Sequence, residues 1–272
     1  MKNALLISIF LITLTSTAAQ TKQTAEVNGV SIYYETFGDG YPLVLLHGFT
    51  QNHTIWYNLL DSLSLKYKLI IPDMRGHGKS TNPTNEFKHN ESALDIFALL
   101  DKLNINKFNA IGYSSGGLTL LHMATQQPDR ISNMVLIGTS SYYSEQARKV
   151  LSSFTFDNLN DSHLSYLRSI HLGGDEQIRK IYQQLNNFSN TYNDINFTPP
   201  YLSTITAKTL IILGDSDPLF SVAEAVDMHH AIDNSSLWIV PAHGHNLITT
   251  DKLWQQQSLH VILRFFSSSI NH

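Results

Sequence analysis

The chain has 272 residues, 42% hydrophobic and 15% charged, the balance of a soluble globular protein rather than a disordered one. A formal charge of −4 with no basic block argues against a nucleic-acid partner. With no cysteine, neither a disulfide nor a lipid-bearing cysteine is available.

The opening stretch carries Lys2, an apolar run from Ala4 to Leu14, and then the small residues Thr17, Ala18 and Ala19. That order predicts a secretory signal peptide over 1–19, cut near Ala19–Gln20, and export by a bacterium to the periplasm or beyond. The run is shorter than the ~20 apolar residues of a spanning helix, which favours a cleaved leader over a stable membrane anchor. Residues 24–37 place two strand-like pieces around Asn28-Gly29, a strong hairpin signal. The sheet is therefore expected to begin antiparallel.

From Val30 onward, short apolar runs alternate with amphipathic ones. "YPLVLLHG", "KLIIPD", "FNAIGY", "NMVLIG", "TLIILG" and "SLWIVP" read as strands buried on both faces. Helical patterns lie between them: "TIWYNLLDSLSLKY", "ESALDIFALLDKL" with Leu94, Phe97, Leu100 and Asp101 spaced by three or four, and "SGGLTLLHMATQQ". The alternation predicts an α/β fold with a mostly parallel central sheet flanked by helices. Between about 142 and 200 the sequence turns polar and helix-prone, with no buried-strand pattern. A structureless loop of that length is improbable, so an inserted helical cap is expected. It divides the core into 20–141 and 201–272.

Gly112-Tyr113-Ser114-Ser115-Gly116 fits Gly-x-Ser-x-Gly between a predicted strand and a predicted helix. A sharp turn there would expose the Ser114 hydroxyl at the carboxyl edge of the sheet. The Ser115 N–H, at the helix N-terminus, would face a developing oxyanion. A serine needs a base, and the base an orienting acid, each expected after a later strand. "LGDSDP" offers Asp215 and Asp217; "PAHGHN" offers His243 and His245. In "LVLLHGFT" the tight His47-Gly48 turn would leave the Phe49 N–H as a second oxyanion donor. Asp215 also suits a backbone-bonding turn, and His243-x-His245 suits a metal only with a third ligand of recognisable spacing, which is not found. His47 and His77 suit loop-bracing roles, as do Asp73 and Arg75.

His47-Gly48, "PDMRGHGKS", the Ser114 elbow, "GDSDP" and "GHN" together resemble the successive landmarks of the α/β-hydrolase superfamily, in its group with a helical cap, from about residue 25 to 268. The resemblance implies Ser114 as nucleophile, Asp217 as acid, His245 as base, and the Phe49 and Ser115 backbones as the oxyanion hole. It implies acyl transfer to water with no metal and no cofactor. Ser114 stands where dehalogenases and epoxide hydrolases of the superfamily carry aspartate, and "HGFTQ" departs from the iminopeptidase loop. A carboxylesterase acting on a small or medium ester is expected. Carbon–carbon bond hydrolases and perhydrolase-type members share the same residues, and a non-catalytic binding protein of this fold is the alternative of another class. Phe49, Trp56, Tyr113 and the insertion's Tyr142, Tyr143, Phe154 and Phe156 are the candidates to line an apolar substrate pocket.

Overall fold

The computed structural model describes residues 20–247 and 252–267. The predicted leader over 1–19 lies outside the described residues. The described strands are β1 (Thr21–Val27), β2 (Val30–Phe37), β3 (Tyr41–Leu46), β4 (Tyr67–Pro72), β5 (Phe108–Tyr113), β6 (Ile131–Ile137), β7 (Lys208–Gly214) and β8 (Ser235–Val240). They form one eight-stranded sheet in the order β1-β2-β4-β3-β5-β6-β7-β8. β1 and β2 pair antiparallel through a turn in which Asn28 and Gly29 both take positive φ, 46° and 79°, as a two-residue hairpin requires. β2 also meets β4 antiparallel, and every pairing from β4 to β8 is parallel.

The parallel strands are apolar throughout because both faces are covered. Along β3, Val44 and Leu46 join a core shared with α2 (His89–Lys102), α3 (Ser115–Gln126) and α8 (Val222–Ala231). Leu43 and Leu45 point the other way, into a core with Leu63 of α1 (Leu60–Ser64) and Phe265 and Phe266 of α9 (Lys252–Ser267). The period of two along a strand makes this division.

Two helix expectations are corrected. In α2 the inward stripe is Ala93, Ile96, Phe97 and Leu100, whereas Leu94 and Asp101 face solvent. That stripe has the i, i+3, i+4, i+7 spacing, and Leu94 falls outside it. The stretch after β3 is not one helix but a 3₁₀ segment, His53–Leu59, followed by the short α1. Asn52 starts the tighter turn by accepting the Thr54 N–H and hydroxyl.

Between β6 and β7 the chain forms α4 (Glu145–Ser152), α5 (Asp161–Ile170), α6 (Gly174–Asn187) and α7 (Pro199–Leu202), with no strand longer than a single bridge among the described residues. Ser144 and Asn160 cap α4 and α5 with side-chain acceptors. This helical segment docks on loops at the carboxyl ends of β3 and β4. Asn52 Nδ2 donates to Ile170 O at 2.9 Å, and Gln177 Nε2 donates to Gly76 O at 2.9 Å.

Candidate active site

β5 runs into α3 through a single residue, Ser114, at φ 51° and ψ −117°. This is a strained conformation for a residue with a side chain. Three bonds to its backbone hold it: Ser114 N–H to Ile137 O at 2.8 Å, Leu118 N–H to Ser114 O at 3.0 Å, and the Thr139 hydroxyl to Ser114 O at 3.3 Å. The helix crosses so close that a Cβ on Gly116 would lie 2.2 Å from Leu46 O, and one on Gly112 would lie 2.6 Å from the Gly116 backbone. The glycines on either side of Ser114 are therefore required by packing.

Ser114 Oγ lies 2.9 Å from His245 Nε2, and His245 Nδ1 lies 2.7 Å from Asp217 Oδ2. The other Asp217 oxygen accepts the Leu219 and Phe220 N–H groups at 2.8 and 3.1 Å. With Asp217 Oδ2 accepting from Nδ1, Nε2 is left to accept from the serine hydroxyl. The Asp217 side chain is fully buried, while His245 is partly exposed at the edge of a cavity.

The neighbouring Asp and His residues have other partners. Asp215 is exposed and bonds the turn at Ala242 and His243, whose N–H groups, with Ser216, hold its carboxyl below the usual range. His243 packs against Trp254, ring centroids 4.9 Å apart, and its ring does not converge with that of His245. His47 is buried, donates from Nδ1 to Gly48 O at 2.8 Å and accepts the Met74 N–H at Nε2 at 2.9 Å. Burial pushes it down to about 4, so it is a neutral strut at neutral pH. His77 donates to Arg75 O at 3.0 Å, and burial likewise holds it well below its ordinary value. Asp73 accepts from the His53 ring and backbone and from Lys79 N–H, while Arg75 pairs with Glu91 and Asp95.

The His47-Gly48 turn closes with Gln51 N–H on Gly48 O at 3.2 Å, and Thr50 takes φ 66°. Among the described residues, no acceptor meets the N–H of Phe49 or of Ser115. Both residues line the cavity above Ser114.

That cavity encloses about 360 Å³. Phe49, Thr50, Tyr113, Leu219 and Phe220 form its floor and sides; Leu151, Phe154, His163, Tyr182 and Phe188 close it from the β6–β7 segment. Tyr113 donates its hydroxyl to Asn246 Oδ1 at 2.6 Å and lies alongside the His245 ring. Of the aromatic candidates, Phe49, Tyr113, Tyr143 and Phe154 line the cavity, and Trp56, Tyr142 and Phe156 do not. Trp56 is completely buried because the 3₁₀ segment turns it into the core beneath the sheet. Tyr142 is 41% exposed; its backbone bridges to Asn196 outside the cavity. The walls from His163, Tyr182, Leu185 and Phe188 carry no sequence signal, because polar amphipathic helices do not declare which face a distant strand edge will meet.

A second histidine and a second aspartate also escaped the sequence. Ser115 Oγ lies 2.7 Å from His89 Nε2, and His89 Nδ1 lies 2.6 Å from Asp194 Oδ2. Asp194 sits in the chain's return from the β6–β7 segment, 105 residues from His89.

A model of the alpha/beta hydrolase fold family matches residues 41–251, so the chain belongs to that family. Hydrolase activity is what the family and its named relatives share. The chain is 34% identical to a soluble epoxide hydrolase of Corynebacterium sp. strain C12 over 117 residues, 43% of this chain and 41% of that protein. It is 25% identical to the pimeloyl-[acyl-carrier protein] methyl ester esterase of Vibrio parahaemolyticus, over 81% of this chain and 93% of that one. Its fold matches a meta-cleavage product hydrolase from Pseudomonas fluorescens IP01 with a TM-score of 0.74 at 22% identity, covering 91% and 98% of the two chains.

Proposed function

We propose that the protein is an exported serine hydrolase that cleaves small to medium carboxylic esters through an acyl-enzyme. The observation that carries this reading is the unbroken chain Asp217–His245–Ser114, which ends under a mainly apolar cavity beside two N–H groups that lack acceptors. Ser114 Oγ attacks the ester carbonyl while His245 Nε2 takes its proton. Asp217 holds the imidazole in the required tautomer and stabilises its charge. The Phe49 and Ser115 N–H groups receive the oxyanion. His245 then hands the proton to the departing alcohol. A water, deprotonated by the same nitrogen, releases the acid and restores the serine.

The residues lining the cavity include no lysine or arginine among the described residues, which favours an uncharged acyl chain over one ending in a carboxylate. The β6–β7 helices act as a cap and limit the chain length admitted. The partial likeness to an epoxide hydrolase is not carried over, because Ser114 occupies the elbow position that the resemblance gives to aspartate in such enzymes. Export rests on the leader-like order of residues 1–19, and the mass of the exported protein tests it.

A fluorophosphonate probe and a panel of p-nitrophenyl esters of increasing acyl length, with a lactone and a β-diketone included, test the whole reading. Labelling on the Ser114 peptide and fastest turnover of short soluble esters are expected. No labelling, equal labelling of Ser114→Ala, or preference for the β-diketone would overturn the esterase assignment.

A further inference from the structure

The Ser115 hydroxyl starts a buried hydrogen-bonded chain. Asp194 Oδ2 accepts both the His89 ring and the His89 backbone N–H, at 2.6 and 2.8 Å, and Oδ1 accepts the Asn90 N–H at 3.2 Å. Lys88, at the N-cap of α2, offers no side-chain acceptor, so Asp194 caps this helix from the far end of the β6–β7 segment. Burial opposes ionisation of Asp194, but the His89 and His122 contacts outweigh it and hold the carboxyl far below its usual range. An ionised Asp194 only accepts, so His89 Nδ1 carries the proton, Nε2 accepts, and the Ser115 hydroxyl donates. His89 is wholly buried and Ser115 nearly so. None of this reaches the Ser114 hydroxyl, so the catalytic chain does not use it.

We propose that His89 and Asp194 are positioning residues for the oxyanion hole: through the Ser115 hydroxyl they fix the first residue of α3, and with it the Ser115 N–H. This rests on the reading of that N–H as an oxyanion donor. A parallel bond holds the other half of the hole. His171, which follows α5, donates from Nε2 to Thr50 O at 3.0 Å and accepts the Gly78 N–H at 2.9 Å. Thr50 follows Phe49 directly. Each donor of the hole is therefore tied by a buried histidine to the β6–β7 segment.

The test uses the whole protein, p-nitrophenyl butyrate as substrate and a simple alkyl trifluoromethyl ketone as tetrahedral analogue. Ser115→Ala and Asp194→Asn should each lower kcat roughly tenfold by letting the donor drift. Each should weaken the ketone by a similar factor, because the ketone needs the same hole. KM should stay within about twofold, since ground-state binding is unaffected. The double variant should be no worse than the weaker single one, because both act through one group. Should Asp194→Asn fail to melt cooperatively, His89→Gln takes its place in the same cycle. Unchanged kcat, a rise in KM alone, or losses that multiply in the double variant would overturn the proposal. Activity surviving in Ser114→Ala would instead overturn the hydrolytic reading beneath it. An inactive Ser114→Ala beside wild-type Ser115→Ala and Asp194→Asn would sink only the positioning role.

Discussion

Two serine–histidine–aspartate chains begin on adjacent residues of this protein. Their heavy-atom distances are nearly the same: 2.9 and 2.7 Å from Ser114 to Asp217, against 2.7 and 2.6 Å from Ser115 to Asp194. What separates them is conformation and access. Ser114 is forced to a positive φ at the crest of the turn, and His245 borders a cavity; Ser115 begins a regular helix, and His89 is sealed among Phe87 and Phe188. Equal hydrogen-bond distances do not separate the proposed nucleophile from a strut; the strained crest and the open cavity are what favour Ser114.

The sharpest way to break this comparison is to remove the crest hydroxyl. Ser114→Ala and His245→Ala should each lower kcat for a p-nitrophenyl ester by about 10⁴-fold or more. Asp217→Asn should do nearly as much, because the imidazole would lose its tautomer, while Asp215→Asn should leave kcat near wild type. In Ser114→Ala, mass spectrometry after fluorophosphonate treatment should find no adduct on Ser115, whose hydroxyl is committed to His89. An adduct there would make the two chains equivalent after all.

Both serines depend on the close crossing of α3 over the end of β3, so the next variant moves them together. Gly116→Ala puts a methyl against immovable backbone, 2.2 Å from Leu46 O. It should destabilise the protein by about 3 kcal/mol or more, read as a lowered urea midpoint, and erase ester turnover at temperatures where the fold persists. A variant as stable as wild type would mean that the helix can shift, and that the crest geometry is not set by packing.

Much of this was legible in the sequence, and for physical reasons. The strands were legible because a strand buried on both faces must be apolar at nearly every position. The elbow was legible because Gly112, Ser114 and Gly116 satisfy local steric demands within five residues, and Asp217 and His245 because each follows a strand in a fixed chain order. His89 and Asp194 were not legible, since a bond between residues 105 apart leaves no spacing to detect. Asp194, in "YNDINF", looks like any polar loop residue. Trp56 and Tyr142 were misplaced because an aromatic residue near a motif declares its size and not its direction.

Burial, which separates the two chains, also sets an acid limit on the fold. His47 titrates near 6.5 when unfolded and is pushed down to about 4 when folded, and burial lowers His77 and His171 as well. Between those values the unfolded chain binds more protons at His47 than the native one, so the His47 contribution to stability falls as pH drops through that window and levels off below about 4; His77 and His171 act in the same direction. From pH 7 to pH 5, His47 alone should remove about 2 kcal/mol. Urea denaturation at the two pH values measures it, and a midpoint that did not move would mean that these rings reach water more easily than their enclosure implies.

The smallest effect concerns the cavity wall. Phe154 lines the cavity from the end of α4, and Tyr142 stands outside it, though both are aromatic residues of the same β6–β7 segment. Tyr142→Ala should change kcat/KM for every ester of the panel by less than about twofold, the usual range for an exposed side chain. Phe154→Ala should enlarge the space over the acyl chain and shift the optimum toward longer esters, with each added methylene worth about 0.8 kcal/mol where it finds new apolar surface. The contrast lies in the pattern across chain lengths rather than in any one rate. A Tyr142→Ala profile that tilts with acyl length would place that ring against the substrate, and would mean that the segment closes further over the site when an ester is bound.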